Sequence, residues 1–292
     1  MSKGKRKKGT GTEKPGDFET SSFLSGLILE KGQLRQQQPI SGNSEISCSG
    51  FCRQCGREHR LPTGPAYQAS RALMAELEAE ERIDLHLPAE NADPRFSTDY
   101  LFGPARGKMF GVMVAATPAE NIVTLRAFSG QYNGVWEIPG WVGPTFSLDA
   151  FHQLHDDEER NIKALGRRID AQKPGSRERE ELTALRKNMS RRLMADIHNL
   201  YRLKNFCGQA AGLEEIFPPG MGIPTGTGDC CGPKLLQYAA EHGFTPQGIA
   251  EFYWGRATAS GSRQHGRFYS SCPGKCYPIL GFMLCGLKER NL

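Results

Sequence analysis

Hydrophobic and polar positions along this chain follow two rhythms. Over residues 64–87 the apolar positions fall at helical spacing, with Ala69, Leu73, Leu77 and Ile83 on one face and the charged run EAEER outside. Residues 108–114 (KMFGVMV) and 122–128 read as two strands separated by a turn at 118–121. Residues 150–204 return to a helical pattern, broken at Lys173-Pro174-Gly175, and predict a two-helix hairpin. Residues 201–217 read as a strand or hairpin. Past Gly228 and Asp229 a helix begins, burying Leu235, Leu236 and Ala239 and stopping at Gly243. An aromatic-rich strand follows at 249–254, between Gly248 and Gly255, and then a tight turn at 272–276. A last helix buries Ile279, Leu280, Met283 and Leu284.

These elements predict an α/β protein, a mixed sheet of about five strands with flanking helices. A disordered basic arm is expected over residues 1–45. Residues 46–149 form an N-terminal part, 150–204 an inserted helical hairpin, and 205–292 a cysteine-bearing core. The 292 residues allow one large domain or two smaller ones, and 38% hydrophobic content with 15 Phe and 3 Trp supports a sizeable core. No apolar run approaches the length of a membrane span, and no apolar segment follows the N-terminal lysines as in a secretory signal. Nine cysteines in close pairs point to a reducing, cytoplasmic setting with metal sites or free thiols.

Charge changes the picture mainly through its placement. The whole chain carries +5, whereas the stretch from Arg160 to Lys204 holds 13 Lys/Arg against 5 Asp/Glu, a net of +8. Arg167, Arg168, Arg186, Arg191 and Arg192 therefore form a ridge suited to an anionic partner, most simply RNA. The alternative is a solvated helical hairpin. Arg263, Arg267 and Lys275 add a second basic cluster near the C-terminal cysteines. The arm, with six Lys/Arg against one Glu in its first 16 residues, is either a phosphate-tracking or a solubilising tail. Tyr132, Trp136, Trp141 and Phe146 are expected to close a hairpin over the core, with a base-stacking platform as the alternative.

The candidate chemistry lies in the cysteines. Cys230 or Cys231, at a helix entrance, can meet Cys272 and Cys276 at the entrance of the last helix. There a thiolate is favoured by the helix dipole and the free N–H groups. Three ligands leave one zinc position open, as in a catalytic site. Cys48, Cys52, Cys55 and His59 (CSGFCRQCGREH) would make a second, closed zinc clip. Against both stands the reading of these thiols as small buried hydrophobes. Two carboxylates could move protons at the first site, Asp229 and Glu251. Glu251 is the better placed, since a residue on the intervening strand can face the site, whereas Asp229 also fits a helix cap.

The helix–strand–helix order with its cysteine pairs resembles the zinc-dependent nucleobase deaminase fold, whose signature is H-x-E followed by P-C-x-x-C. Here cysteine replaces the first ligand, the second pair is C-x3-C, and no Glu lies two residues beyond Cys230 or Cys231. The resemblance implies a metal site and, with a carboxylate supplied from elsewhere, hydrolytic loss of ammonia from a base. The spacing Cys48-x3-Cys52-x2-Cys55 also matches the cluster triad of radical S-adenosylmethionine enzymes. No run of βα units follows it to build their barrel.

A longer resemblance runs through GKMFGVMV, LRAFSGQ, GWVGPTF, the charged hairpin, LEEIF, GTGDCCGPKLLQYAAEHGFTPQGIAEFYWG and HGRFYSSCPGKCYPILGFMLCGL, over about residues 56–288. It is similar to the N-terminal extension of long RluA-like RNA pseudouridine synthases. The string HRLPTG carries Pro62 where the catalytic Asp of their H-R-L-D motif would stand, and their catalytic domain is not expected here. The resemblance implies an RNA-modification context, RNA contact and an RNA-modifying enzyme as partner, without pseudouridylation by this chain. Two function classes follow: a zinc-stabilised accessory RNA-binding protein, or a zinc-dependent RNA or nucleotide deaminase. They differ in whether a carboxylate lies beside the three-cysteine site.

Overall fold

The structure, a computed structural model, describes residues 39–42 and 45–287. Most of the expected arm lies outside the described residues. Its end, Pro39–Ile40, pairs as strand β1. Strands β2 (Ile46–Cys52) and β3 (Arg57–Pro62) form a hairpin, followed by helix α1 (Ala66–Glu80). After three short 3-10 turns come β4 (Lys108–Ala116) and β5 (Ile122–Phe128). The helical hairpin is α2 (Leu148–Asp170) and α3 (Arg177–His198), and a small ribbon β6 (Arg202–Lys204) and β7 (Ala210–Gly212) runs into the short helix α4 (Leu213–Ile216). Helix α5 (Cys231–Glu241), strand β8 (Thr245–Trp254), strand β9 (Arg267–Tyr269) and helix α6 (Tyr277–Leu284) complete the described chain.

The α/β class and a five-stranded central sheet are as expected, with strand order β1-β9-β8-β4-β5. The pairings differ from the expected mixture: all four are antiparallel. The β4–β5 pair is a simple hairpin closed by Thr117–Asn121 contacts, and a short loop joins only antiparallel neighbours. Strands from both 46–149 and 205–292 enter this one sheet.

Strand periodicity divides the core into two layers. Phe110, Val112 and Val114 of β4, with Ala250, Phe252 and Trp254 of β8, pack against Leu73 and Leu77 of α1. Met113 and Ala115, with Ile249 of β8, face α5 and α6 instead. Glu251 alternates with Ile249, so its carboxylate points into the α5–α6 layer. The buried stripe of α1 runs Ala66, Ser70, Leu73, Leu77; Ala69 is only partly covered, and Ile83 lies beyond the helix end at Glu81. Tyr132, Trp141 and Phe146 are buried, so they close the core and offer no stacking platform. Trp141 Nε1 donates to the Ile83 carbonyl at 2.7 Å and Tyr132 to that of Ser97 at 2.9 Å.

The helical hairpin breaks where expected, and Ser147 and Ser176 cap its two helices by accepting from Ala150 N and Arg179 N. Its own small core is Leu165, Ile169 and Leu182. Helix α6 is seated on β2 backbone to backbone. A Cβ on Gly281 would fall 2.1 Å from the Phe51 carbonyl carbon, and one on Gly50 would fall 2.2 Å from Gly281 N. Gly281→Ala should therefore push α6 off the strand and lower unfolding free energy by about 3 kcal/mol in chemical denaturation, as overpacking does. A loss under about 0.5 kcal/mol would show that the contact yields freely.

Candidate metal centres

Among the described residues, two groups of side chains bring ligand atoms together within 4.8 Å, close enough to hold a metal ion. The first is Cys230, Cys272 and Cys276, as expected. Cys230 is the N-cap of α5 and Cys276 that of α6, so two helix N-termini aim at one point. Cys272 Sγ stands 3.5 Å from Cys276 Sγ. Tetrahedral zinc with thiolates about 2.3 Å away sets its sulfurs about 3.8 Å apart, so this donor set fits zinc. The choice between neighbouring cysteines falls on Cys230. Cys231, turned about 100° round the helix, is fully buried against the sheet with Sγ 3.4 Å from the Met109 carbonyl.

The electrostatics of this group are those of thiols sharing protons. Hydrogen bonds from Cys230, and then Cys276, hold Cys272 well below the ordinary thiol range. The same contacts push Cys230 and Cys276 upward, so Cys272 is the first to carry the negative charge. Cys276 is buried, while Cys230 and Cys272 remain partly exposed, which leaves one side of the group open.

Glu251 reaches this centre from β8. Its Oε1 accepts from Gly232 N at 3.1 Å, in the first turn of α5. A Cβ on Gly232 would lie 2.9 Å from that same oxygen. Gly232 is the residue two beyond Cys230, the position at which the deaminase signature bears its acid. The Glu251 carboxylate, reaching in from the neighbouring strand, occupies space that a side chain at Gly232 would otherwise take. Burial, and then the charge on Cys272, pushes Glu251 up to about 7, against the opposing pull of Arg263 and the Gly232 N–H.

Asp229 sits differently from its expected role as a cap. Cys230 occupies the cap position with no side-chain bond, and Asp229 Oδ1 accepts from Tyr201 Oη at 2.6 Å. Burial raises its pKa above the usual carboxylate range, partly offset by the Tyr201 hydrogen bond, Lys234 and Lys275. Lys234 is buried between the Phe128 and Gly130 carbonyls, at 3.0 and 2.8 Å, and burial lowers it to about 8.

The second group is Cys52, Cys55, His59 and Cys285. Cys48, expected among these ligands, is replaced by Cys285. Four residues back along an extended strand, Cys48 lies about 13 Å from Cys52. It is buried instead beside Gly232, where a Cβ would be 3.9 Å from its Sγ, and burial pushes it up to about 12. Cys285 follows the apolar helix α6, more than 200 positions from Cys52, and only the fold brings it there.

The basic residues divide. Arg167, Arg168, Arg186, Arg191 and Arg192 are exposed on α2 and α3; Arg192 approaches Asp196 at 4.0 Å, and the other four make no ion pair among the described residues. Arg267 is exposed. Arg263 is turned inward, its guanidinium 5.0 Å from the Tyr269 ring and its Nη1 buried without a partner among the described residues. Lys275 lies half-buried next to Asp229, both within 3.7 Å of where a Gly226 Cβ would be. No protein-family model, curated protein or solved structure matches the chain. Among the described residues no helix is long and apolar enough to cross a membrane.

Glu251 makes stability pH-dependent in the metal-free protein. Its folded pKa, about 7, exceeds the ordinary 4.5, so the folded state holds the proton more tightly. That contribution is fully present below pH 4.5 and is lost as pH rises through about 7. Between those limits chelator-treated protein should lose about 3 kcal/mol that Glu251→Gln does not lose, read from denaturation midpoints across pH. Parallel profiles for the two proteins would contradict it.

Proposed function

We propose that the chain is an RNA-binding, zinc-dependent nucleobase deaminase of RNA modification, with its metal on Cys230, Cys272 and Cys276. One observation carries this reading: the Glu251 carboxylate lies in the space that a side chain at Gly232 would fill, in the first turn of the helix that Cys230 caps, and near enough to feel the charge on Cys272. Zinc held there would supply an activated water. Glu251 would take a proton from that water and deliver one to the departing amine. The C–N bond breaks, a C=O bond replaces it, and ammonia leaves. A carboxyl group poised near pH 7 suits both halves of that transfer. Asp229, committed to Tyr201, acts as a positioning residue for the loop that presents Cys230. It also accepts through its backbone carbonyl from Gly130 N at 2.8 Å.

RNA is the substrate class because of the exposed basic ridge on α2–α3 and the similarity to the extension of RNA pseudouridine synthases. The acidic run Asp156, Asp157, Glu158 and Glu159 lies mid-way along α2, and the basic ridge begins beyond it at Arg160. A second reading, an accessory RNA-binding protein with a structural zinc beside a partner enzyme, is favoured by one observation. Glu251 already satisfies the Gly232 N–H, which is an ordinary structural duty for a buried acceptor.

Nucleoside mass spectrometry of RNA incubated with the zinc-loaded protein separates the two. Deamination exchanges NH2 for OH, a gain of about one dalton on a cytosine- or adenine-derived nucleoside. Glu251→Gln should keep its zinc and slow that conversion at least about 100-fold, as loss of a general acid–base does. RNA retained with no mass change would sink the deaminase reading and leave the accessory one.

Reversing Arg186, Arg191 and Arg192 to Glu should weaken RNA binding and flatten its salt dependence by about one unit of slope per lost phosphate contact. An unchanged slope would assign the hairpin to solvent.

A further inference from the structure

Helix α6 is eight residues long and carries one member of each ligand group, Cys276 at its N-cap and Cys285 at its C-cap. The Cys285 end meets a knuckle built by local geometry. Cys52 closes β2, and Gly56 N turns back to the Cys52 carbonyl at 2.9 Å with Gly56 at φ 69°, a left-handed turn that glycine adopts without strain. This fold-back brings Cys55 to the mouth of the hairpin, with its Sγ 3.1 Å from His59 Nε2 on β3. Cys52 and Cys285 approach from below, both buried, while Cys55 is exposed. Three sulfurs and one imidazole nitrogen thus converge from a strand end, a turn, a second strand and a helix end. The set is complete at four and leaves no coordination position for a substrate.

We propose that Cys52, Cys55, His59 and Cys285 form a second, structural zinc site, whose task is to lock α6 onto the β2–β3 hairpin and so fix the position of Cys276 in the first centre. The helix is too short to be stable by itself: its N-cap side chain makes no capping hydrogen bond, and its residues are almost wholly apolar. Its contact with β2 includes the close Gly50–Gly281 approach, which is steric. A metal at the C-terminal end would add a directional hold. The two centres are then mechanically linked through a rigid rod about 12 Å long. Its two ends are fixed by different chemistry, an open three-ligand group at one and a closed four-ligand group at the other.

The test is zinc stoichiometry in the full chain, which does not depend on any catalytic activity. Wild-type protein purified in excess zinc should hold two ions per chain by elemental analysis. Cys55→Ser and Cys285→Ser should each hold one, and Cys272→Ser should also hold one. The ion left in Cys285→Ser should pass to a competing chelator about tenfold more readily than the same ion in wild type, the scale on which supporting residues tune a metal site. Should Cys285→Ser fail to fold, His59 decides: His59→Cys preserves a four-ligand set and should keep two ions, whereas His59→Ala should keep one. Two ions retained in both Cys55→Ser and His59→Ala would overturn the site. One ion lost with undiminished chelator resistance of the other would overturn the link between the centres.

Discussion

The structure depends on an exchange of glycines between α5 and the central sheet. Gly111 on β4 pairs with Glu251 on β8 in the strand register. Because Gly111 has no side chain, Cys231 can press its Cβ to within 2.5 Å of where another Cβ would be. Because Gly232 has none, Glu251 can enter the first turn of the helix. A methyl group on Gly111 would lift α5 from the sheet, and with it Cys230, whereas one on Gly232 would displace the Glu251 carboxylate. Close packing of helix on sheet, the cysteine cap and the buried acid are thus consequences of one steric condition. The same device recurs at Gly50 and Gly281 beneath α6, so both helices that contribute thiols are seated through glycine.

Burying charge around this seat has a cost that the surroundings only partly offset. Glu251, Lys234 and Asp229 all lie in or under the α5–α6 layer, and burial is the leading cause of the shift for each. Lys234 is held by two carbonyls and the Phe128 ring, 4.8 Å from its Nζ. Asp229 has the Tyr201 hydroxyl. Glu251 has a single backbone donor and the more distant Arg263. The charge on Cys272 adds to the burial in raising it, so the least compensated of the three charges is the one that feels the candidate metal group.

Much of this was legible in the sequence, for reasons that can be named. Helical periodicity placed α1 and the α2–α3 hairpin, and Lys173-Pro174-Gly175 marked its turn. Alternation on β8 put Glu251 on the same face as Ile249, which is why a strand residue could be nominated for the site at all. What escaped was set by distance along the chain. Cys285 reaches the hairpin knuckle only because α6 folds back over β2. Spacing alone therefore favoured Cys48, which an extended strand carries out of range. Gly232 offered no signal beyond the absence of a side chain, and its meaning appeared only with the strand that fills the gap. The antiparallel pairing of β8 with β4 was hidden for a similar reason, since the long insertion between them conceals the direction of return.

Whether Glu251 is there for packing or for chemistry can be argued from what a neutral residue would do instead. A glutamine would accept the same Gly232 hydrogen bond with its amide oxygen, at nearly the same size, and would not ionise. Keeping an acid whose proton is released near pH 7 costs the folded metal-free chain stability in the neutral range. A purely structural acceptor gains nothing from that penalty. A group that must take a proton and return it gains a great deal, because transfer in both directions is easiest when its own affinity for the proton is balanced near the working pH. Zinc on the three thiols would bring two positive charges and displace the remaining thiol protons, so the group would keep one net negative charge and leave the carboxylate's proton affinity close to its metal-free level.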